Sequence, residues 1–293
     1  MKKILIFGGT QFVGKRLISN LLEKSYDVTV VSRGNWAVPH LNSIKHVIAD
    51  RYNPSTYGNL VEQDWDVIVD QLAFYGHDAK ILIDAFKNKV KKIVCVTSNA
   101  VYDSGFELKE SNFDPTKLVK SKIDLLNYRE PKVDTPEYQM GKREVEYIYL
   151  TSGIPSTLVR FPVIIGPDDL SLRFYNLFKK IKNDEEIKIE NFDRKQSFIC
   201  SREAARFLSF CIDKEINGPV NACLDGDFSL HLLENVLSKK IKYSITDETN
   251  TFLSGTETTL NCDLANNDGF YFEELELYIK ELILMYSFFS ERF

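Results

Sequence analysis

From Lys3 to Arg160, short β-rich apolar runs alternate with stretches of helical periodicity. Lys3–Phe7, Asp27–Ser32, His46–Ala49, Trp65–Val69 and Lys92–Thr97 read as strands, and a further strand spans Ser156–Arg160. Lys15–Lys24 carries Leu17, Ile18, Leu21 and Leu22 at helical spacing, and Asp78–Phe86 and Tyr138–Thr151 read as helices. Strand, helix, strand at this rhythm demands crossover connections and a parallel sheet. Strands that are apolar throughout fit a sheet covered on both faces. The expected architecture is α/β: a doubly wound parallel sheet over residues 1–165, followed by a smaller α/β part over 166–293. In the latter, Leu172–Lys182, Arg202–Ile212 and 273–289 read as helices and Pro219–Cys223 as a strand. Residues 103–136 are polar and carry Pro115, Pro131 and Pro136. They read as a surface excursion that could act as a lid.

The chain has 293 residues, 44% of them hydrophobic, enough to bury a core without staples. With 37 Lys and Arg against 42 Asp and Glu, the net charge is −5. That balance argues against a protein built to grip nucleic-acid backbone. Five cysteines occur without a C-x-x-C pair, and four histidines show no metal-ligand spacing. Free thiols in a reducing compartment and no metal are therefore expected. The apolar run after Met1 is only Ile4–Phe7, too short for a signal peptide. No stretch reaches the roughly 18 apolar residues of a membrane span. A cytoplasmic protein is expected.

Gly8-Gly9-Thr10-Gln11-Phe12-Val13-Gly14 lies directly between the first strand and the first helix. Glycines there allow a tight turn and close approach to a phosphate, while the helix N-terminus offers unpaired N–H groups. The second strand ends in Arg33 rather than an acidic residue. An acidic residue would select NAD through the ribose 2′-OH. Arg33 suits a 2′-phosphate, so NADP is favoured and NAD stays open.

These residues resemble the extended, epimerase/dehydratase-like branch of the short-chain dehydrogenase/reductase superfamily, and its atypical GGTxFxG subgroup in particular. Gln11 stands where that branch usually has a middle glycine. The subgroup is related to chloroplast stem-loop RNA-binding proteins. The resemblance implies a Rossmann-type fold and an NAD(P)-dependent oxidoreductase, epimerase or dehydratase acting on a hydroxyl or carbonyl, in which a nucleotide-sugar is one candidate substrate. It places Asp50 at the adenine amino group and the Leu72 and Ala73 segment beside the cofactor ribose. Thr97-Ser98-Asn99-Ala100-Val101-Tyr102 resembles the branch's S-S-x-x-V-Y segment, with Ser98 polarising the reacting oxygen. Thr97 is placed beside the cofactor and Tyr102 beside the substrate. Tyr138-Gln139-Met140-Gly141-Lys142 matches Y-x-x-x-K. On a helix, i and i+4 share a face, and a lysine ammonium near a phenol favours the phenolate. Tyr138 is then the general acid/base, and Lys142 tunes it and holds ribose. The passage to Arg160-Phe161-Pro162 and Gly166-Pro167 follows the branch's order, with Phe161 intruding in R-P.

Gln196-Ser197-Phe198-Ile199 resembles a later segment of the subgroup, and Arg173 and Arg194 fall where sugar-nucleotide enzymes grip a diphosphate. Arg173 and Gln196 are the expected substrate contacts in this part. The resemblance also allows a homodimer through the 138–151 helix. The competing reading is a non-catalytic dinucleotide sensor or an RNA-associated relative, which Gln11 would suit.

Overall fold

The computed structural model describes residues 1–118, 135–246 and 257–290. Ten elements lie between Lys3 and Arg160. They are β1 (Lys3–Phe7), α1 (Phe12–Glu23), β2 (Asp27–Ser32), β3 (Lys45–Ile48), β4 (Trp65–Asp70), α2 (Gly76–Phe86), β5 (Val90–Val96), β6 (Gly105–Leu108), α3 (Pro136–Thr151) and β7 (Ser156–Arg160). The remainder comprises β8 (Val163–Ile165), α4 (Arg173–Lys182), β9 (Ile187–Ile189), β10 (Phe198–Cys200), α5 (Ser201–Asp213), β11 (Gly218–Asn221), α6 (Leu230–Leu237), β12 (Tyr243–Ile245), β13 (Thr258–Leu260), α7 (Asp263–Asn267) and α8 (Leu275–Ser290).

Seven strands pair in the order β11-β7-β5-β4-β1-β2-β3, every neighbouring pair parallel. This is the doubly wound, Rossmann-type sheet expected above. The order reverses between β1 and β4, and such a switch point opens a crevice at the carboxyl ends of the strands. Ile4, Leu5, Ile6 and Phe7 are all buried because alternate residues enter opposite layers. Ile4 and Ile6 pack with Leu17, Leu21, Ala204 and Leu208 on the α1 and α5 side. Leu5 and Phe7 pack with Leu82, Phe86, Val145 and Tyr149 on the α2 and α3 side.

The chain does not leave the sheet for good at residue 166. α5 packs on α1, and β11 extends the sheet beyond β7. A separate core gathers Phe174, Phe178, Phe198, Phe228, Leu233 and Ile279 from α4, β10, α6 and α8. Three small two-stranded pairings, β10 with β8, β12 with β9 and β13 with β6, stitch this part together. Their strands are only three or four residues long.

The polar excursion has internal structure where it is described. Residues 103–118 form β6 and short 3-10 turns, and Arg160 donates to the carbonyls of Glu110 at 3.0 Å and Phe113 at 3.1 Å. Residues 119–134, the rest of the expected lid before α3, lie outside the described residues.

Beneath the crevice, Arg51 meets Asp70 in a bidentate pair at 2.7 and 3.0 Å, with 7% and 0% of the two side chains exposed. Arg51 also donates to the Asp78 carbonyl at 3.0 Å, and the Tyr149 hydroxyl donates to Asp70 at 2.7 Å. Asp70 accepts from Leu72 N–H as well. The cluster thereby ties the ends of β3 and β4 to α2 and α3. Burial alone would raise the Asp70 carboxyl; the charge and hydrogen bonds of Arg51 win and hold it below its ordinary 3.8. Its contribution to stability is therefore complete above about pH 4 and is lost as pH falls through the lowered folded value. Asp70→Asn leaves Arg51 buried without its counter-charge and is expected to cost about 3–5 kcal/mol in urea unfolding at pH 7. Repeating the unfolding between pH 6 and 3 should give the variant a flatter acid limb than the parent; parallel limbs would remove Asp70 from the pH dependence.

Candidate active site

The glycine loop leaves β1 and enters α1 with Gln11 at the N-cap in an extended conformation, φ −138° and ψ 163°. Its side chain caps nothing, so the first N–H groups of α1 receive no bond from it. Phe12 follows with φ +44°, a left-handed conformation that is costly for a residue with a side chain. Gly14 makes the turn possible: a Cβ there would overlap the Gly8 carbonyl oxygen and lie 2.8 Å from Gly9 Cα. Gln71 Nε2 donates to Gly8 O at 2.9 Å and so props the loop against the end of β4.

Beside this loop opens a cavity of about 360 Å³. Gly8, Thr10 and Gln11 form one wall, Arg33 and Trp36 a second, and Asp50 and Leu72 lie opposite. Arg33 is exposed, and Trp36 is 57% exposed, at the rim. Asp50 accepts from Tyr52 N–H at 3.0 Å. A bare loop, a helix start left uncapped by its own side chain and a cavity next to both fit the diphosphate and adenosine parts of a dinucleotide.

α3 brings the other half of the site. Thr135 caps it by accepting from Tyr138 N–H, and Pro136 occupies its first turn. Lys142 is 2% exposed, and its ammonium donates to Ala73 O at 2.7 Å and Val96 O at 3.2 Å. It thus bridges the chain just past β4 to the last residue of β5. The same nitrogen lies 5.6 Å from the centre of the half-buried Tyr138 ring and 4.7 Å from that of Phe74. The approach of α3 depends on Gly141, where a Cβ would lie 2.7 Å from Phe74 O and overlap the Tyr75 ring.

Ser98 follows β5 and begins a 3-10 turn, its hydroxyl accepting from Ala100 N–H at 3.1 Å. Two α3 side chains hold that turn. Gln139 donates to Tyr102 O, and Arg143 Nε donates to Val101 O, both at 2.8 Å. Tyr138 and Lys142 each precede one of these staples by a residue. Ser98, Tyr138 and Lys142 are in this way carried by directly bonded elements at one end of the sheet, with Leu72 and Ala73 alongside. Gln139, Gly141 and Arg143 were not anticipated; only the glycine inside Y-x-x-x-K offered a signal.

Two expected contacts are committed elsewhere. Tyr102 was expected to face substrate, but it is 2% exposed and its hydroxyl donates to Asn221 at 2.7 Å while accepting from Arg160 at 2.8 Å. Burial leads in pushing this phenol up to about 12. Thr97 was expected beside the cofactor, but it is 3% exposed and donates to Glu146 at 2.8 Å. Glu146 in turn forms a fully buried pair with Arg160, at 2.6 Å. Both side chains therefore serve the interior wall beneath Ser98. Gln196 is 8% exposed and its backbone bridges Phe228 and Thr258, while Arg173 opens α4 with Nε on Ser171 at 3.1 Å. Arg194, 7% exposed, lies 3.6 Å from Glu190. Among the described residues, no cluster of three or more His, Cys, Asp or Glu could hold a metal, and no helix is long and apolar enough to cross a membrane.

The sequence matches the profile of the NAD dependent epimerase/dehydratase family over residues 4–223, and the chain belongs to that family. Among curated proteins it is similar to the chloroplast stem-loop binding protein of 41 kDa b from Arabidopsis thaliana, 25% identical over 204 residues. That match covers 65% of this chain and 49% of the relative. The chain spans about half the length of the curated relatives it matches. Among solved structures, MoeE5 in complex with UDP-glucuronic acid and NAD superposes with a TM-score of 0.73 at 15% identity, covering 99% of this chain and 100% of that one. The UDP-N-acetylglucosamine 4-epimerase of Methanobrevibacter ruminantium, in complex with UDP-N-acetylmuramic acid, gives 0.67 at 17%, with 99% of both chains covered. At such identities the likeness establishes the shared fold.

The close approach at Gly14 gives a direct test of the loop. Gly14→Ala is expected to weaken dinucleotide binding at least tenfold in calorimetric titration, with the far-UV circular dichroism of the parent retained. Equal affinity in the two proteins would remove the loop from the binding site.

Proposed function

We propose that this protein is an NAD(P)-dependent epimerase or dehydratase, with Tyr138 as general acid/base and a nucleotide-sugar as the class of substrate. The observation that carries the reading is Lys142, whose buried ammonium joins the ends of β4 and β5 and lies beside the Tyr138 ring. A lysine so deeply buried at the ligand edge of a parallel sheet, i+4 from a half-exposed tyrosine, suits proton transfer and ribose binding better than a surface role. The uridine-diphosphate ligands of MoeE5 and of the Methanobrevibacter epimerase support the substrate class.

In this reading the loop from Gly8 to Gly14, with Thr10, Gln11, Phe12 and Val13, takes the diphosphate. Asp50 and Leu72 flank the adenosine, and Ala73 and Lys142 face the nicotinamide ribose. A bound nicotinamide ring supplies reversible hydride acceptance. Tyr138 takes the proton from a substrate hydroxyl oxygen and returns it in the reverse step. Ser98 keeps the bond it accepts from Ala100 N–H and turns its hydroxyl proton from Asn99 Oδ1, 3.4 Å away, to donate to that oxygen. Arg33 at the rim of the cavity suits a 2′-phosphate, which favours NADP over NAD. Arg173 stays a candidate clamp for the substrate diphosphate.

A second reading, a dinucleotide-binding protein without turnover, is favoured by Gln11 in the loop and by the chloroplast stem-loop binding relative. Tyr138→Phe separates the two. With UDP-sugars as substrates, turnover should fall at least a hundredfold while the dinucleotide Kd changes less than threefold; unchanged turnover would take Tyr138 out of the mechanism. Arg33→Ala should weaken NADPH more than NADH in paired titrations. Equal losses would mean that Arg33 does not read the 2′-phosphate.

A further inference from the structure

Away from the crevice, two free thiols stand side by side. Cys223 lies just beyond β11, and Cys262 lies between β13 and α7. Their sulfurs are 3.3 Å apart, with no bond between them. Both line a cavity of about 380 Å³, shared with Asp225, Asn261 and Tyr271. Cys223 is 5% exposed and Cys262 half-buried, so Cys262 is the more accessible residue of the two. The remaining cysteines differ: Cys95, Cys200 and Cys211 are each 0% exposed.

The backbone around the pair is held independently of the sulfurs. Asn221 Nδ2 donates to Asn261 O at 3.0 Å, and Asn261 N–H donates to Leu108 O at 3.0 Å. The chains carrying the two cysteines are therefore already fastened together within two residues of each thiol. A disulfide places its sulfurs about 2.05 Å apart, so the two need to approach by little more than an ångström to bond. Cys223 also packs with Val101, Tyr102 and Leu260, directly below the turn that Ser98 begins.

We propose that Cys223 and Cys262 form a redox-active dithiol, oxidised to an intramolecular disulfide by a low-molecular-weight disulfide that enters the cavity. Cys262 loses its proton to solvent and attacks one sulfur of the oxidant; the oxidant's S–S bond breaks and one thiolate leaves. Cys223, after losing its own proton, attacks Cys262 Sγ in the mixed disulfide and expels the second thiolate. Two protein thiols are oxidised and one disulfide is reduced to two thiols. The product locks the segment before α7 onto the edge of the sheet, beside Tyr102 and Asn221. This inference is independent of the catalytic reading above.

The test uses the full chain, incubated with oxidised glutathione, alkylated and digested without reductant. Mass spectrometry should find the Cys223 peptide joined to the Cys262 peptide with a loss of two hydrogens. Thiol titration in denaturant should show two of the five cysteines consumed and then restored by dithiothreitol. Cys223→Ala should instead accumulate a stable glutathione adduct on Cys262. Retention of all five thiols, a glutathione adduct on Cys262 of the parent that never resolves, or a linkage mapped to other cysteines would each overturn the proposal. Because the first measurement is made on the parent chain, failure of the variant to fold leaves the test intact.

Discussion

The Arg160 guanidinium and the Glu146 carboxylate are wholly buried and have no water to fall back on. Losing either partner would leave a charge in the interior, so the surroundings are committed to keeping both. Glu146 reaches them from α3 and Arg160 from the end of β7, which fixes the helix that carries Tyr138 and Lys142 against the strand edge. The remaining donors of Arg160 go to the Tyr102 hydroxyl and to the carbonyls of Glu110 and Phe113. Asn221 at the end of β11 closes the ring through Tyr102 and by donating its backbone N–H to Glu110 at 2.7 Å. One pair thus joins the sheet, α3 and residues 103–118 of the excursion.

The same logic recurs along the carboxyl edge of the sheet. Parallel strands end there with backbone carbonyls and loops that cannot all pair with each other. Arg51 meets that need beneath the cavity beside the glycine loop and Lys142 between β4 and β5. Of the two, Lys142 bonds only to backbone carbonyls in the hydrogen bonds described, so its charge is held without a carboxylate partner there. In the proposed reading the third N–H of its ammonium is left for a ligand, whereas Arg51 and Arg160 are committed to carboxylates. That difference is the physical reason for reading Lys142 as functional and the two arginines as structural.

Strand and helix positions in the first 160 residues were legible because burial on both sheet faces writes itself as continuous apolar runs. β1, β2 and β7 fall at the boundaries expected from periodicity, and the other main strands within two residues. β8, β9, β10, β12 and β13 were not legible; three residues carry no periodicity, and each is made a strand by its partner. α6 likewise escaped notice, since its eight residues give barely two turns of pattern. At the candidate site, the spacing of Tyr138 and Lys142 and the placement of Gly8 and Gly14 could be read directly. The burial of Thr97 and Tyr102 could not, because a hydroxyl on a strand end looks the same in sequence whether it faces a ligand or a buried carboxylate.

The order of residues by itself determined the alternation of strands and helices, the glycine turn after β1 and the i, i+4 relation of Tyr138 to Lys142, since these are local consequences of backbone geometry and side-chain period. Only the tertiary structure decided which polar groups are spent in the interior. Arg160 with Glu146, Arg51 with Asp70 and Cys223 beside Cys262 join residues from different elements, and the Cys pair lies 39 positions apart. No local rule can announce such partnerships. They arise when burial removes water as the alternative partner and each donor must find an acceptor within the fold.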